Sequence, residues 1–211
     1  MTGLRDFSIA ILFAAFACLL ASGASAQQCP VGGRVDDGYT IHFTNEEAFV
    51  VDQIVDDVVF MRHVDNRNNT LNEQELYKGL FTLSSTGGKG RTVYSYDIDP
   101  GTFFPGNGEG ITAVGGMMIP EYGRPSRVER SWWFTGSGTK YLNSGVDKEF
   151  MCLYAVREIE AVTTWPDLGL EFRQIKQWAP TLNMVVYLRT EVWEGGALSR
   201  VTEFDGDWIT E

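Results

Sequence analysis

The chain has 211 residues, of which 44% are hydrophobic and 21% charged, the composition of a folded globular protein rather than a disordered or fibrous one. Its 28 acidic residues outnumber 17 basic ones for a net charge of −11, which excludes a nucleic-acid binder that works by neutralising phosphates. The 23 glycines, seven prolines and 13% aromatics suit short strands joined by turns.

Residues 1–26 read as a secretory signal peptide. Arg5 lies in a polar start, Ile9 to Leu20 form an unbroken apolar run, and Ala24-Ser25-Ala26 supplies the small-x-small cleavage pattern. The run is too short for the roughly 20 residues that cross a bilayer, so no transmembrane anchor is expected after cleavage. A lipidated cysteine needs a small residue before it and Leu or a similar residue three before. Neither Cys18, with Ala15 and Phe16 upstream, nor Cys29, which follows Gln28, meets that requirement. The mature chain, residues 27–211, is expected to be one acidic β-rich domain, secreted or periplasmic. In such a compartment Cys29 and Cys152 are expected to form a disulfide. The alternative is two unpaired buried thiols, because Cys152 lies in a strand-like run.

After an irregular lead-in with Pro30, Gly32, Gly33 and Gly38, the mature chain is a succession of strands. Tyr39–Phe43, Phe49–Val55, Val58–Val64, Glu75–Leu83, Arg91–Ile98 and Ile111–Ile119 are rich in Val, Ile, Phe and Tyr. They are followed by Arg127–Thr135, Lys140–Leu142, Glu149–Thr163, Leu170–Trp178, Met184–Val192 and Leu198–Phe204. Turn chemistry separates them at Asp37-Gly38, Gly87-Gly88-Lys89-Gly90, Asn107-Gly108, Asn143-Ser144-Gly145, Glu194-Gly195-Gly196 and Asp205-Gly206. Alternation places Tyr94, Tyr96 and Ile98 on one face, and sets Met184, Val186 and Leu188 against Tyr187, Arg189 and Glu191. Consecutive aromatics at Trp132-Trp133-Phe134 point both ways, which predicts apolar cover on both sides of that strand. The expected fold is all-β, a single antiparallel meander that closes as a β-barrel of lipocalin-like shape or stacks as a two-sheet sandwich.

Most catalytic and metal-binding patterns in the chain lack a required residue or spacing. Gly106-x-Gly108-x-Gly110 has the wrong last spacing for a dinucleotide loop and no βαβ unit around it. Gly87 to Thr92 holds phosphate-loop residues in the wrong order, with no helix to follow. Asp65 to Thr70 is dense in oxygen ligands but lacks the glycine and the bidentate Glu of an EF-hand, and Asn68-Asn69-Thr70 is an N-glycosylation acceptor pattern; both describe a surface turn. His42 and His63 are the two histidines, each in a strand-like run, so no zinc cluster is expected. Gly136-Ser137-Gly138 reads as a turn rather than a nucleophile elbow. Glu158 and Glu160 occupy alternate positions of one strand, about 6.5 Å apart along the backbone, a separation within glycosidase geometry. No cofactor is expected.

Gln177-Trp178-Ala179-Pro180-Thr181-Leu182-Asn183-Met184-Val185-Val186 resembles a turn of exported bacterial proteins in uncharacterised β-rich families. There an aromatic, Ala or Ser, Pro, any residue, Leu or Val, and Gly precede a β-branched strand. Asn183 stands where those proteins have glycine, and Asn also tolerates the left-handed conformation. Tyr77-Lys78-Gly79-Leu80-Phe81 and Phe103-Phe104-Pro105 are similar to other points of such proteins. The resemblance implies an exported β-rich fold with no catalytic residue to carry over. The first functional reading is therefore a non-enzymatic envelope or periplasmic protein that binds a small apolar or amphipathic ligand, or another envelope component. The alternative is a secreted carbohydrate-active enzyme using Glu158 and Glu160. A purely structural partner would betray itself by a large exposed apolar patch.

Overall fold

The computed structural model describes residues 29–31, 38–99, 110–118, 126–145 and 148–211. Residues 1–26, expected to be a signal peptide, and the turns expected at Asp37 and Asn107-Gly108 lie outside them, as do Phe103-Phe104-Pro105. Twelve strands form a closed barrel in which each strand pairs antiparallel with its sequence neighbours. They are β1 (Tyr39–Phe43), β2 (Ala48–Val55), β3 (Val58–Val64), β4 (Thr70–Tyr77), β5 (Phe81–Gly87) and β6 (Gly90–Tyr96), then β7 (Gly110–Met118), β8 (Ser126–Ser144), β9 (Phe150–Trp165), β10 (Leu170–Ala179), β11 (Met184–Glu194) and β12 (Ala197–Thr210). β1 closes the ring on β12, with Thr40 opposite Thr210 and Ile41 opposite Ile209. The meander is thus a barrel and not a sandwich. Closure leaves no unpaired edge. No helix among the described residues is long and apolar enough to cross a membrane.

Three sequence expectations need correction. Glu75 to Leu83 is not one strand: Lys78 and Gly79 adopt positive φ, 49° and 67°, and turn the chain from β4 into β5. Hydrophobic flanks on both sides hid this two-residue turn. Gly136-Ser137-Gly138 is no turn but the middle of β8, joining the segments expected as Arg127–Thr135 and Lys140–Leu142. Asp205-Gly206 likewise lies inside β12. Gly136 and Gly206 serve close approach. A Cβ on Gly206 would lie 2.7 Å from the Val186 carbonyl oxygen, and one on Gly136 would lie 2.9 Å from Glu158 Oε2.

The long β8–β9 hairpin changes the face it buries. In one half Val128, Arg130, Trp132 and Phe134 of β8 face inward with Ile159, Ala161, Thr163 and Trp165 of β9; in the other half Leu142, Cys152, Tyr154 and Val156 are buried instead. The exchange follows a register shift between Phe134 and Gly136, where one extra residue on β8 bends the ladder. Two apolar clusters result. One gathers Ile41, Val51, Val59, Leu142, Tyr154 and Ile209, and the other gathers Phe81, Trp132, Phe134, Ile159 and Trp178. The end of β12 pairs in parallel with the end of β8, Trp208 beside Asn143 and Ile209 beside Ser144, and closes the first cluster. Each fully buried large side chain contributes about 1.5–3 kcal/mol.

Cys29 and Cys152 form the expected disulfide across 123 residues, and Tyr154 Oη donates to the Pro30 carbonyl at 3.1 Å beside it. The Trp178 to Val186 segment defines the fold as its residue types predict. Asn183 has φ 52°, Trp178 Nε1 donates to the Lys78 carbonyl at 2.8 Å and Tyr39 Oη donates to the Leu182 carbonyl at 2.5 Å. Its turn packs directly on the Lys78-Gly79 turn, because a Cβ on Gly79 would lie 1.8 Å from the Asn183 carbonyl oxygen.

Candidate functional site

A barrel of eight strands is filled by its own side chains, and a larger one leaves interior space. Here a cavity of about 220 Å³ lies where the two clusters meet. Its apolar wall is Met61, Leu76, Leu80, Met184, Val185 and Leu188, with Phe49 and Phe204 as its aromatics. None of the six tryptophans lines it: Trp132 and Trp178 pack in the neighbouring cluster. Trp133 is 40% exposed on the far side of β8, over Gly110, whose missing Cβ leaves room for the ring. The apolar cover expected on both sides of that strand is therefore present on one.

The polar groups of the cavity are His63, Gln74, Thr82, Arg130, Gln174 and Lys176. β10 alternation carries Gln174 and Lys176 on the same side as Phe172 and Trp178, and pairing sets Lys176 between Ile159 of β9 and Leu188 of β11. Arg130 sits between Val128 and Trp132 on the inward side of β8 and is 9% exposed. Its Nε donates to Thr163 Oγ1 at 2.9 Å. Its guanidinium carbon lies 5.6–5.7 Å from the ring centres of Tyr94, Tyr96 and Trp132, so three aromatic rings hold the cation. Neither Arg130 nor Lys176 has a carboxylate partner among the described residues. The nine ion pairs found there use other bases, such as Arg62 with Asp52 and Arg91 with Glu75.

The consequence appears in the lysine. Burial, and then the charge of Arg130, lower the Lys176 pKa from 10.5 to about 7, because a desolvated ammonium beside another cation is disfavoured. Tyr96 is shifted upward to about 12, chiefly by burial. Its buried hydroxyl makes no hydrogen bond to the described residues. At the opposite end of the polar set, His63 Nε2 lies 2.5 Å from Glu47 Oε2, with Phe49 and Phe204 edge-on to its ring.

The other sequence candidates lie elsewhere. Glu158 and Glu160 share the face of β9 opposite Ile159 and Ala161, as alternation requires. Glu160 lines a shallow depression with Arg173, Ile175, Arg189 and Glu191, and Glu158 is not part of it. His42 stacks on Trp208 with ring centres 4.4 Å apart, and burial lowers its pKa. The Asp65 carboxylate accepts hydrogen bonds from the backbone N–H of Arg67 and Asn69 and from Asn69 Nδ2, and these donors, the Asn69 side chain foremost, lower its pKa. The oxygen-rich loop is thus an Asx turn. Among the described residues no group of three or more His, Cys, Asp or Glu side chains is placed to hold a metal ion.

Arg130, Gln174 and Lys176 are the site residues that the sequence reading passed over. A signal existed. Each is a polar group at an inward position of an otherwise apolar alternation, and a charge at such a position is costly unless it has a task.

No family model matches the chain, and no curated protein matches it in sequence. Among solved structures, the chain is similar to the hypothetical lipoprotein YmcC from Escherichia coli (K12), with 12% identity and a TM-score of 0.44 over 90% of this chain and 95% of that one.

Proposed function

We propose that this is an exported, non-enzymatic binding protein that takes a small apolar or amphipathic ligand into the barrel. One observation carries the reading: an interior cavity with an aliphatic wall and a few polar groups from separate strands, the usual composition of a small-molecule site. The outer wall supports a barrel used from water. Ion pairs such as Arg62–Asp52, Arg127–Glu129 and Arg189–Glu191 stand on it, where a membrane-spanning barrel carries an apolar band. The apparent signal peptide, the disulfide and the resemblance of the Trp178–Val186 turn to exported proteins support an envelope or periplasmic location.

The test is native mass spectrometry of the protein purified from its own compartment. A co-purifying molecule of a few hundred daltons that is lost on unfolding supports the reading. A ligand-free protein that also fails to take up a neutral or anionic amphiphile refutes it.

A second observation favours an envelope partner besides the ligand. Tyr141, Leu153 and Met151 are 55%, 55% and 66% exposed on neighbouring positions of β8 and β9, where Tyr141 faces Leu153 directly. Such a strip on a soluble surface marks a contact. Sedimentation of the purified protein with and without an extract of its own envelope tests it.

A further inference from the structure

We infer that the barrel site recognises a medium-chain carboxylate, with the carboxylate group held between Arg130 and Lys176 and the hydrocarbon along the aliphatic wall. The inference deepens the proposed function and rests on it.

The charge balance of the interior points to an anion. The protein is acidic, −11 overall, yet among the described residues the groups facing this cavity include Arg130, Lys176 and His63 and no acidic side chain, and of these three His63 alone meets a carboxylate, that of Glu47. Leaving a buried cation unpaired costs several kcal/mol. An acidic chain has carboxylates to spare for neutralising such cations. Arg130 and Lys176 are instead left facing open space, which is the arrangement of a site whose counter-ion is the ligand.

The basic end of the cavity is also preorganised. Arg130 is fixed by Thr163 on one edge and by aromatic rings, so its remaining N–H groups keep one direction without the entropic cost of ordering a free side chain. A planar guanidinium fork matches a planar carboxylate. Lys176 adds a single flexible ammonium, and together they suit one negative charge.

The size of the cavity limits the tail. About 220 Å³ is below the roughly 300–1,000 Å³ of pockets that enclose drug-sized molecules. The cavity therefore suits a short hydrocarbon tail rather than a long-chain lipid. Leu76, Leu80, Met184 and Leu188 give that tail an apolar wall in continuity with the charged end.

The experiment measures binding of octanoate, octan-1-ol and octyl phosphate to the delipidated mature protein by titration calorimetry, for the wild type and for Lys176→Met and Arg130→Met. Octanoate is expected to bind at least tenfold tighter than octanol. Lys176→Met and Arg130→Met are each expected to narrow the preference for octanoate over octanol at least threefold. Equal affinity for octanoate and octanol in all three proteins overturns the carboxylate inference and leaves the lumen reading standing. Octyl phosphate binding tighter than octanoate also overturns it, in favour of a phosphate head group. If none of the three probes binds, both readings fall. Should Arg130→Met fail to fold, the Lys176→Met arm decides the matter alone, because removing that charge relieves the interior.

Discussion

Replacing Lys176 by Met tests the physical premise of the site without any ligand. The lysine pKa is about 7 against 10.5 for the free side chain, and at about 1.4 kcal/mol per unit the ammonium costs the fold at most roughly 5 kcal/mol. The side chain retains some accessible surface, and water in the lumen lowers that figure. Methionine fills similar volume with no charge, so a gain of roughly 2–4 kcal/mol is expected at about pH 6. The pH dependence has a definite sign. The unfolded chain keeps the lysine proton up to about pH 10.5 and the folded chain only up to about pH 7, so between these values the unfolded state binds more protons and wild-type stability rises with pH. The advantage of Lys176→Met should therefore be largest below about pH 7 and shrink towards pH 10. Urea unfolding followed by tryptophan fluorescence at several pH values reads it directly. A variant less stable than wild type at pH 6, or a difference that does not change with pH, would refute the reasoning.

Four further outcomes follow from the same geometry. Octanoate binding near pH 8 should take up as much as one proton, since a bound carboxylate favours the Lys176 ammonium; Arg130 and His63 are the other charged or titratable side chains of the cavity, and Ile159 and Leu188 beside the lysine carry no charge. Calorimetry in buffers of different ionisation enthalpy measures this, and proton release would contradict it. Reducing Cys29–Cys152, or replacing both residues by Ser, should cost about 5 kcal/mol on the chain-entropy model for a 123-residue separation, visible as a lower urea midpoint; an unchanged midpoint would show that the bridge constrains nothing. Gly79→Ala should destabilise by roughly 3 kcal/mol or prevent folding, because φ is 67° and the new Cβ would meet the Asn183 carbonyl oxygen at 1.8 Å; thermal unfolding reads it, and a neutral result would mean that the two turns are not in contact. Trp178→Phe should cost about 1 kcal/mol from the lost bond to the Lys78 carbonyl, beyond the smaller ring volume, and Trp178→His, which keeps a donor, should recover part of that loss.

The residue pattern alone determined that this chain is a β meander. Val, Ile and aromatic runs broken by Gly, Asn and Asp have a period of two, and a period of two can bury one face only in a sheet. Alternation also assigned Tyr94 and Tyr96 to the inside and set Glu158 and Glu160 on one face together. The Cys29–Cys152 pairing followed from compartment and number. Pattern failed where a turn was made of residues that also suit a strand, as at Lys78-Gly79, and where glycine served close approach rather than reversal, as at Gly136 and Gly206.

What tertiary structure decided is the closure and the site. Whether twelve strands stack or close depends on the register of β1 against β12, which is a contact between the two ends of the meander and leaves no local trace. The cavity lies where two clusters from distant parts of the chain meet, and the β8–β9 hairpin changes its buried face at the register shift between Phe134 and Gly136. Arg130 and Lys176 stand 46 positions apart in the chain, in strands separated by β9. Only the shared lumen brings their charges close enough to act on one another, so the chemistry of the pair belongs to the barrel and to neither strand alone.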